Sequence, residues 1–377
     1  MNREMSSRER VKTVLAHKVP DRVPTDLWGS ASRICDELYF DLLRYFDLPH
    51  MGDLIRPGTV TQFEDYALAE RLDTDFRHIN IGKPEHFKSY TDENGYVIDE
   101  WGVGRDVTAL YPTVAYFPLA EAEEEDIDRY PWPDPFDNGR IRGLEQKAKD
   151  WYLHTDKAIT ATAANSGMFF EVAQFLRGPE EFFIDMCTNE GFAARLIDRI
   201  ADILIDINLF YLKPIAPYLE WVEFTSDLGT QNAPFVSGDM FRQYFKEPFS
   251  RVFGAVKNAY PNLKVFFHSC GSIYSFIPDL IEAGVDVLNP IQPLAAEMDP
   301  ARIKREFGRE LVFHGAIDIQ KAMCGSADDV EREVKLRIRQ MAGDGGYILS
   351  PNNHLQNDVP AENVVKLYGS AREFGAY

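Results

Sequence analysis

The chain has 377 residues, 45% of them hydrophobic and 13% aromatic, which supplies an extensive core and argues against disorder. Its 60 acidic residues outweigh 40 basic ones, for a formal charge of −20 that repels phosphate backbones and excludes nucleic acid as a partner. No apolar run is long enough to span a membrane, and 4 scattered cysteines cannot build a disulfide framework, so a reducing, cytoplasmic setting is expected.

The first segment, "MNREMSSRERVKTVLAHK", lacks a secretory apolar core and reads as a helix. Ser6 and Glu9 form a capping box, and Val11, Val14 and Leu15 share one face. Two prolines in "VPDRVPTDLW" (19–28) then break the helix into an extended piece, so residues 1–50 read as an N-terminal arm. Around residues 80–140 the pattern changes. "YTDENGYVIDEWGVGRD" predicts a hairpin turning at Asn94-Gly95, and "FPLAEAEEEDIDRYPWPDPFDNGR" predicts an acidic surface excursion anchored by Trp101 and Trp132.

From residue 157 a regular alternation begins. The apolar strands "AITATA", "WVEFTS", "KVFFHS", "VDVLNP", "LVFHGAID" and "GYILSP" are separated by amphipathic helices. One of these, over 327–341, starts at Ser326 and places Val330, Val334, Ile338 and Met341 on one face. The last carries Pro360 in its first turn, and Gly284 and Gly308 stand where helices hand over to strands. Strands this apolar, alternating with helices, indicate a parallel sheet covered on both sides. With two or three strands upstream, the count favours an α/β fold: a single (β/α)8 barrel domain over residues 1–377.

In such a barrel, chemistry collects at the C-terminal strand ends. Here those ends carry Asp227, His268 with Cys270, Asn289, Asp318, and Asn353 with His354, while Glu171 follows an earlier strand in an apolar setting. Residues i and i+2 of an extended chain point the same way, so His268 and Cys270 project together, and imidazole with thiolate is a ligand pair that zinc favours. Asp227 reads either as a helix cap or as a functional carboxylate. Cys35, Cys187 and Cys324 read as structural.

The stretches "FHSCGSI", "IPDLIEAGVDVLNPIQPLAAEMDP", "FGRELVFHGAIDIQ" and "GGYILSPNNHLQNDVPAENV" resemble the uroporphyrinogen decarboxylase superfamily, and "SSRERVKTVLAHKVPDRVP" and "FFEVAQFLRGPEEFFIDM" extend the likeness to most of the chain. The resemblance implies a (β/α)8 barrel with an N-terminal helical arm. Haem-pathway decarboxylases of this superfamily carry an Arg-Gln-Ala-Gly-Arg-Tyr segment whose arginines hold substrate carboxylates. This chain has "PTDLWGSASRICDEL" there, with Arg33 as its one cation. The other branch consists of zinc-dependent, corrinoid-linked methyltransferases, whose thiol-methylating members use His-x-Cys and a later Cys. His268 and Cys270 match the first two ligands; the third falls near Asn353, with His354 beside it. "DTDFRHI", "DEWGV" and "YPWPDP" look more like the O-demethylase type.

The resemblance therefore implies a methyltransferase moving a methyl group between a small donor, such as a methoxylated aromatic, and a separate corrinoid (cobalamin) protein. Zinc is expected on His268, Cys270 and His354, with Asp227 as the competing third ligand. Glu171 and Asp227 are the candidate acids, and Asn289, Asp318 and Asn353 the candidate substrate-side residues. A homodimer is among the assemblies to be expected. The alternatives are a metal-free decarboxylase anchored on Asp227, and a barrel that binds a ligand without catalysis.

Overall fold

The computed structural model describes residues 4–56, 60–108, 111–165 and 167–377. Seven strands form one parallel sheet: β1 (Phe76–Ile79), β2 (Ala158–Ala161), β3 (Trp221–Thr225), β4 (Lys264–His268), β5 (Val287–Asn289), β6 (Val312–Ile317) and β7 (Tyr347–Pro351), neighbours in chain order. The N-terminal segment joins the two edges. Asp26 N–H donates to Leu349 O at 3.0 Å and Leu349 N–H to Pro24 O at 2.9 Å, while Asp75 N–H, just ahead of β1, donates to Thr25 O at 2.8 Å. Pro24–Asp26 thus serves as the remaining stave, and the fold is a (β/α)8-type barrel. The arm supplies part of the barrel wall rather than merely flanking it.

Alternation along the strands builds the interior in two layers, because side chains two apart face the same side. The lower layer is apolar: Phe76, Ala158, Trp221, Phe266, Val287, Val312 and Ile348 pack in one cluster with Val11, Val14 and Leu15. The helix Ser7–Leu15, with its Ser6–Glu9 capping box in place, therefore plugs the N-terminal end of the barrel. Two residues further along each strand stand His78, Thr160, Glu223, His268, Asn289, His314 and Ser350, all buried. A polar layer thus sits directly above the apolar one, at the end where the strands finish.

The other sequence readings settle as follows. The helix Ala327–Met341 carries a capping box from Ser326 and Asp329 and buries Val330, Val334 and Met341. Gly284 closes its helix at φ +111°, whereas Gly308 keeps φ −69° and needs no special freedom. Pro360 is the N-cap of the final helix, Ala361–Phe374, rather than a residue of its first turn. The excursion holds an antiparallel sheet of four strands, Tyr90–Thr91, Val97–Ile98, Gly104–Asp106 and Thr113–Tyr116. Its first turn has Gly95 at φ +86°, with the Asp92 carboxylate accepting the N–H groups of Asn94 and Tyr96. Trp101 and Trp132 pack edge to face with ring centres 6.2 Å apart, and Tyr130 hydroxyl donates to Trp101 O, so both indoles anchor the excursion. No helix among the described residues is long and apolar enough to cross a membrane.

Candidate metal and active site

The loops after β3 and β4 press against each other. Gly271 adopts φ +83°, and a Cβ there would stand 2.3 Å from Gly229 O and 2.5 Å from Thr230 O. Only glycine fits both the left-handed backbone and that approach. Ser272 N–H donates to Thr230 O and Leu228 N–H to Ser269 Oγ, locking the two loops together.

That contact brings Asp227 to His268 and Cys270. Cys270 Sγ lies 3.3 Å from His268 Nε2, Asp227 Oδ1 lies 3.5 Å from the same nitrogen, and Cys270 N–H donates to Asp227 Oδ1 at 2.8 Å. One ligand atom from each of the three residues falls within 4.8 Å of the others, a grouping that one cation can bridge. Asn353 Nδ2 donates to Cys270 Sγ at 3.3 Å from the end of β7. The cluster is open at one side: the Asp227 side chain is 52% exposed, while His268 is 11% exposed.

Electrostatics couple the group. Burial favours neutral His268, but Cys270 and Asp227 outweigh it and raise the imidazole well above its ordinary pKa. Burial likewise works against ionised Asp227, yet the hydrogen bond and charge of His268 and the Cys270 N–H hold it below its usual value. Glu171 sits in the first turn of the helix Phe169–Arg177. Its carboxylate accepts the Ser226 hydroxyl at 2.7 Å and the Asp227 N–H. Burial first, and the Asp227 charge second, push it up to about 7.

The remaining expected site residues fall elsewhere. His354 is not part of the three-atom group: its Nδ1 accepts the Arg33 N–H at 3.0 Å. Burial, then the charges of Arg33 and His268, push its pKa down to about 3, so the ring is neutral. The chain bends at Asn352 and Asn353, just past β7, and Asn353, not His354, reaches the thiol. Asn289 is fully buried and binds His268 rather than facing substrate: its Oδ1 lies 2.5 Å from His268 Nδ1. Asp318 is also turned away, its carboxylate accepting the N–H groups of Gln320, Lys321 and Ala322. A strand-end aspartate followed by free backbone donators closes the turn with its own side chain. Cys35, Cys187 and Cys324 are free thiols outside the cluster.

The sequence reading missed Asp26, His78, Glu223 and His314, which fill the buried polar layer alongside His268. The signal was present as a polar residue two positions after an apolar one in "FRH", "WVE" and "VFH". A cavity of about 740 Å³ opens at the opposite, N-terminal end, by Lys12, Leu15, Glu220 and Lys264, and another of about 350 Å³ lies in the excursion by Tyr130 and Trp132. Neither touches the cluster, so donor geometry at the strand C-termini identifies the site, not cavity size. Glu85, His86 and Asp137 form a second group in the excursion. There Asp137 is occupied by the N–H groups of Glu85, His86 and Gly139, and Glu85 pairs with Arg142.

The family model described as uroporphyrinogen decarboxylase (URO-D) matches residues 100–374. Among solved structures, a methyltransferase from Methanosarcina mazei superposes with a TM-score of 0.64 at 16% identity, covering 98% of this chain and 99% of that one; the likeness shows a shared fold. A B12-independent methionine synthase from a Shewanella strain aligns with a TM-score of 0.38 at 11% identity, covering 61% of this chain and 65% of that one. No curated protein matches the chain.

Proposed function

This chain belongs to the uroporphyrinogen decarboxylase family, and from that premise we propose that it is a zinc-dependent methyltransferase that moves a methyl group between a small methyl donor and a corrinoid protein. The observation that carries the reading is the convergence of Asp227, His268 and Cys270 within 4.8 Å at the strand ends. A carboxylate oxygen, an imidazole nitrogen and a thiolate sulfur suit zinc, and three protein ligands leave a fourth position for substrate, as catalytic zinc sites require. Asp227 takes the third-ligand role in place of His354, because it shares the cluster and His354 does not.

When bound, zinc would act as a Lewis acid on the donor's heteroatom, the part of the chemistry that makes a methyl ether or amine a better leaving group. The protein's own groups do the rest. Asn289 holds the His268 ring by its Nδ1, and Asn353 donates to the thiol and restrains its direction. Glu171, held up to about 7 beside Asp227, keeps a carboxyl proton near neutrality for the departing oxygen or nitrogen. A methoxylated aromatic is the favoured donor, its product phenolate being the form that such a proton serves.

A tetrapyrrole octa-acid is a poor fit. Arg33 is the only cation of "PTDLWGSASRICDEL", and bidentate pairing to several carboxylates needs several guanidinium groups. The test combines zinc analysis of the purified protein with methylation of free cob(I)alamin by methoxybenzoates, followed by absorbance. Zinc near one per chain with methyl transfer supports the reading. Metal-free protein that decarboxylates uroporphyrinogen overturns it in favour of the decarboxylase, and metal or ligand binding with no turnover of any methyl donor overturns it in favour of a binding barrel.

A further inference from the structure

The polar layer of the barrel forms a continuous hydrogen-bonded path away from the proposed metal site. His268 Nδ1 meets Asn289 Oδ1 at 2.5 Å, Asn289 Nδ2 meets His314 Nδ1 at 2.7 Å, and His314 Nε2 meets Asp26 Oδ2 at 2.9 Å. Beyond it, Asp26 Oδ1 lies 3.0 Å from His78 Nε2, and His78 Nδ1 reaches Thr160 Oγ1 at 2.8 Å and Glu223 Oε1 at 3.5 Å. Asp26, His78, Asn289 and His314 are each no more than 2% exposed.

The donors along this path can run in one direction only. Asn289 Nδ2 also lies 3.2 Å from the backbone carbonyl of His314, which can only accept, so the amide nitrogen must face β6. Its oxygen then faces His268 and must receive a proton, which places hydrogen on His268 Nδ1. At the far end an ionised carboxylate can only accept. The proton of His314 therefore lies on Nε2 toward Asp26, and its Nδ1 is bare to accept from Asn289. Every link from His268 to Asp26 donates toward the carboxylate. Burial opposes the Asp26 charge, but His78 and His314 hold its pKa below the ordinary value, so the acceptor end persists.

We infer that Asn289, His314 and Asp26 form a one-way hydrogen-bond chain that keeps the proton on Nδ1 of His268 and turns Nε2 outward as the ligand nitrogen. His314 and Asp26 are positioning residues, acting on the site through Asn289 without touching substrate. This inference extends the metal-site reading above. A carboxylate at the end of such a chain also raises the basicity of the ligating ring, which is why outer partners of ligand histidines typically weigh about 10–100-fold in metal affinity.

The test has two parts with separate outcomes. In 15N NMR of the wild-type protein, without metal and with zinc added, His268 Nδ1 should carry a proton in both states, and His314 should be the neutral Nε2–H form. A bare His268 Nδ1 in either state overturns the chain whatever any variant does. Cobalt(II) titration then reads affinity: His314→Phe should weaken binding about 10–100-fold, and His314→Gln, which offers an acceptor and a donor in one side chain, should recover most of it. A folded His314→Phe protein that binds cobalt as tightly as wild type overturns the positioning role. If wild type binds neither metal while Nδ1 is protonated, the zinc reading fails and the chain stands.

Discussion

Asp227 Oδ1 stands 3.5 Å from Nε2 of His268 while accepting the backbone N–H of Cys270 at 2.8 Å, so one carboxylate oxygen touches both members of the His-x-Cys pair. Asp227, just past β3, and His268, at the end of β4, are 41 positions apart in sequence, and the relationship makes Asp227 a member of the donor set rather than a distant acid.

The first prediction concerns that donor set. Cys270→Ser and Asp227→Asn should each lower zinc occupancy sharply, because an alcohol and an amide are much poorer ligands than thiolate and carboxylate at neutral pH. His354→Ala should keep near-wild-type zinc. Mass-spectrometric metal analysis checks all three; loss of zinc from His354→Ala with retention in Asp227→Asn would return the ligand role to His354.

Glu171→Gln should retain zinc, since the carboxyl lies outside the three ligand atoms. Its turnover should nevertheless fall by roughly 10²–10⁴-fold, the usual range for a lost general acid. Metal content and single-turnover methylation of cob(I)alamin, measured on the same sample, separate the two effects. An unchanged rate would remove Glu171 from the chemistry.

His78 should make stability fall on the alkaline side. Burial opposes its charge, but Asp26 and Glu223 raise its pKa to about 10, with the Glu64 carboxyl also nearby. An unfolded histidine titrates near about 6.5. A folded pKa above the unfolded one contributes stability that is complete below about 6.5 and disappears as pH rises through about 10. Urea unfolding between pH 6 and 10 should show a decline on the order of a few kcal/mol, and His78→Gln should flatten it. An equal slope in both proteins would refute the assignment.

Gly271→Ala should disrupt the site through the backbone. The Cβ would meet Gly229 O at 2.3 Å at a residue with φ +83°, so the loops after β3 and β4 must part. A loss of roughly 2–4 kcal/mol and a weaker hold on zinc are expected. Thermal unfolding and cobalt titration measure both; wild-type values for both would mean that the loop contact does not organise the cluster.

The barrel was legible because alternating apolar strands and amphipathic helices leave few other ways to bury both faces of a parallel sheet. His268 and Cys270 were legible for the same reason that they meet: a period of two within a single local segment determines their common direction. Even the apolar plug was implicit in the spacing of Val11, Val14 and Leu15. What local pattern could not carry was any contact whose partner lies on another stave. Asp227 joins the cluster because Gly229 and Gly271 let two loops close on one another. His354 stays outside because the turn after Pro351 gives its Nδ1 to Arg33, while Asn289 holds the buried His268 ring and Asp318 closes its own turn instead of facing the opening. The polar layer itself was written as single residues in seven separate strands, and Asp26 lay in a proline-broken stretch that reads only as an extended piece of the N-terminal arm. Barrel closure alone sets these residues side by side, since strand tilt and stagger, not chain distance, decide which interior positions meet.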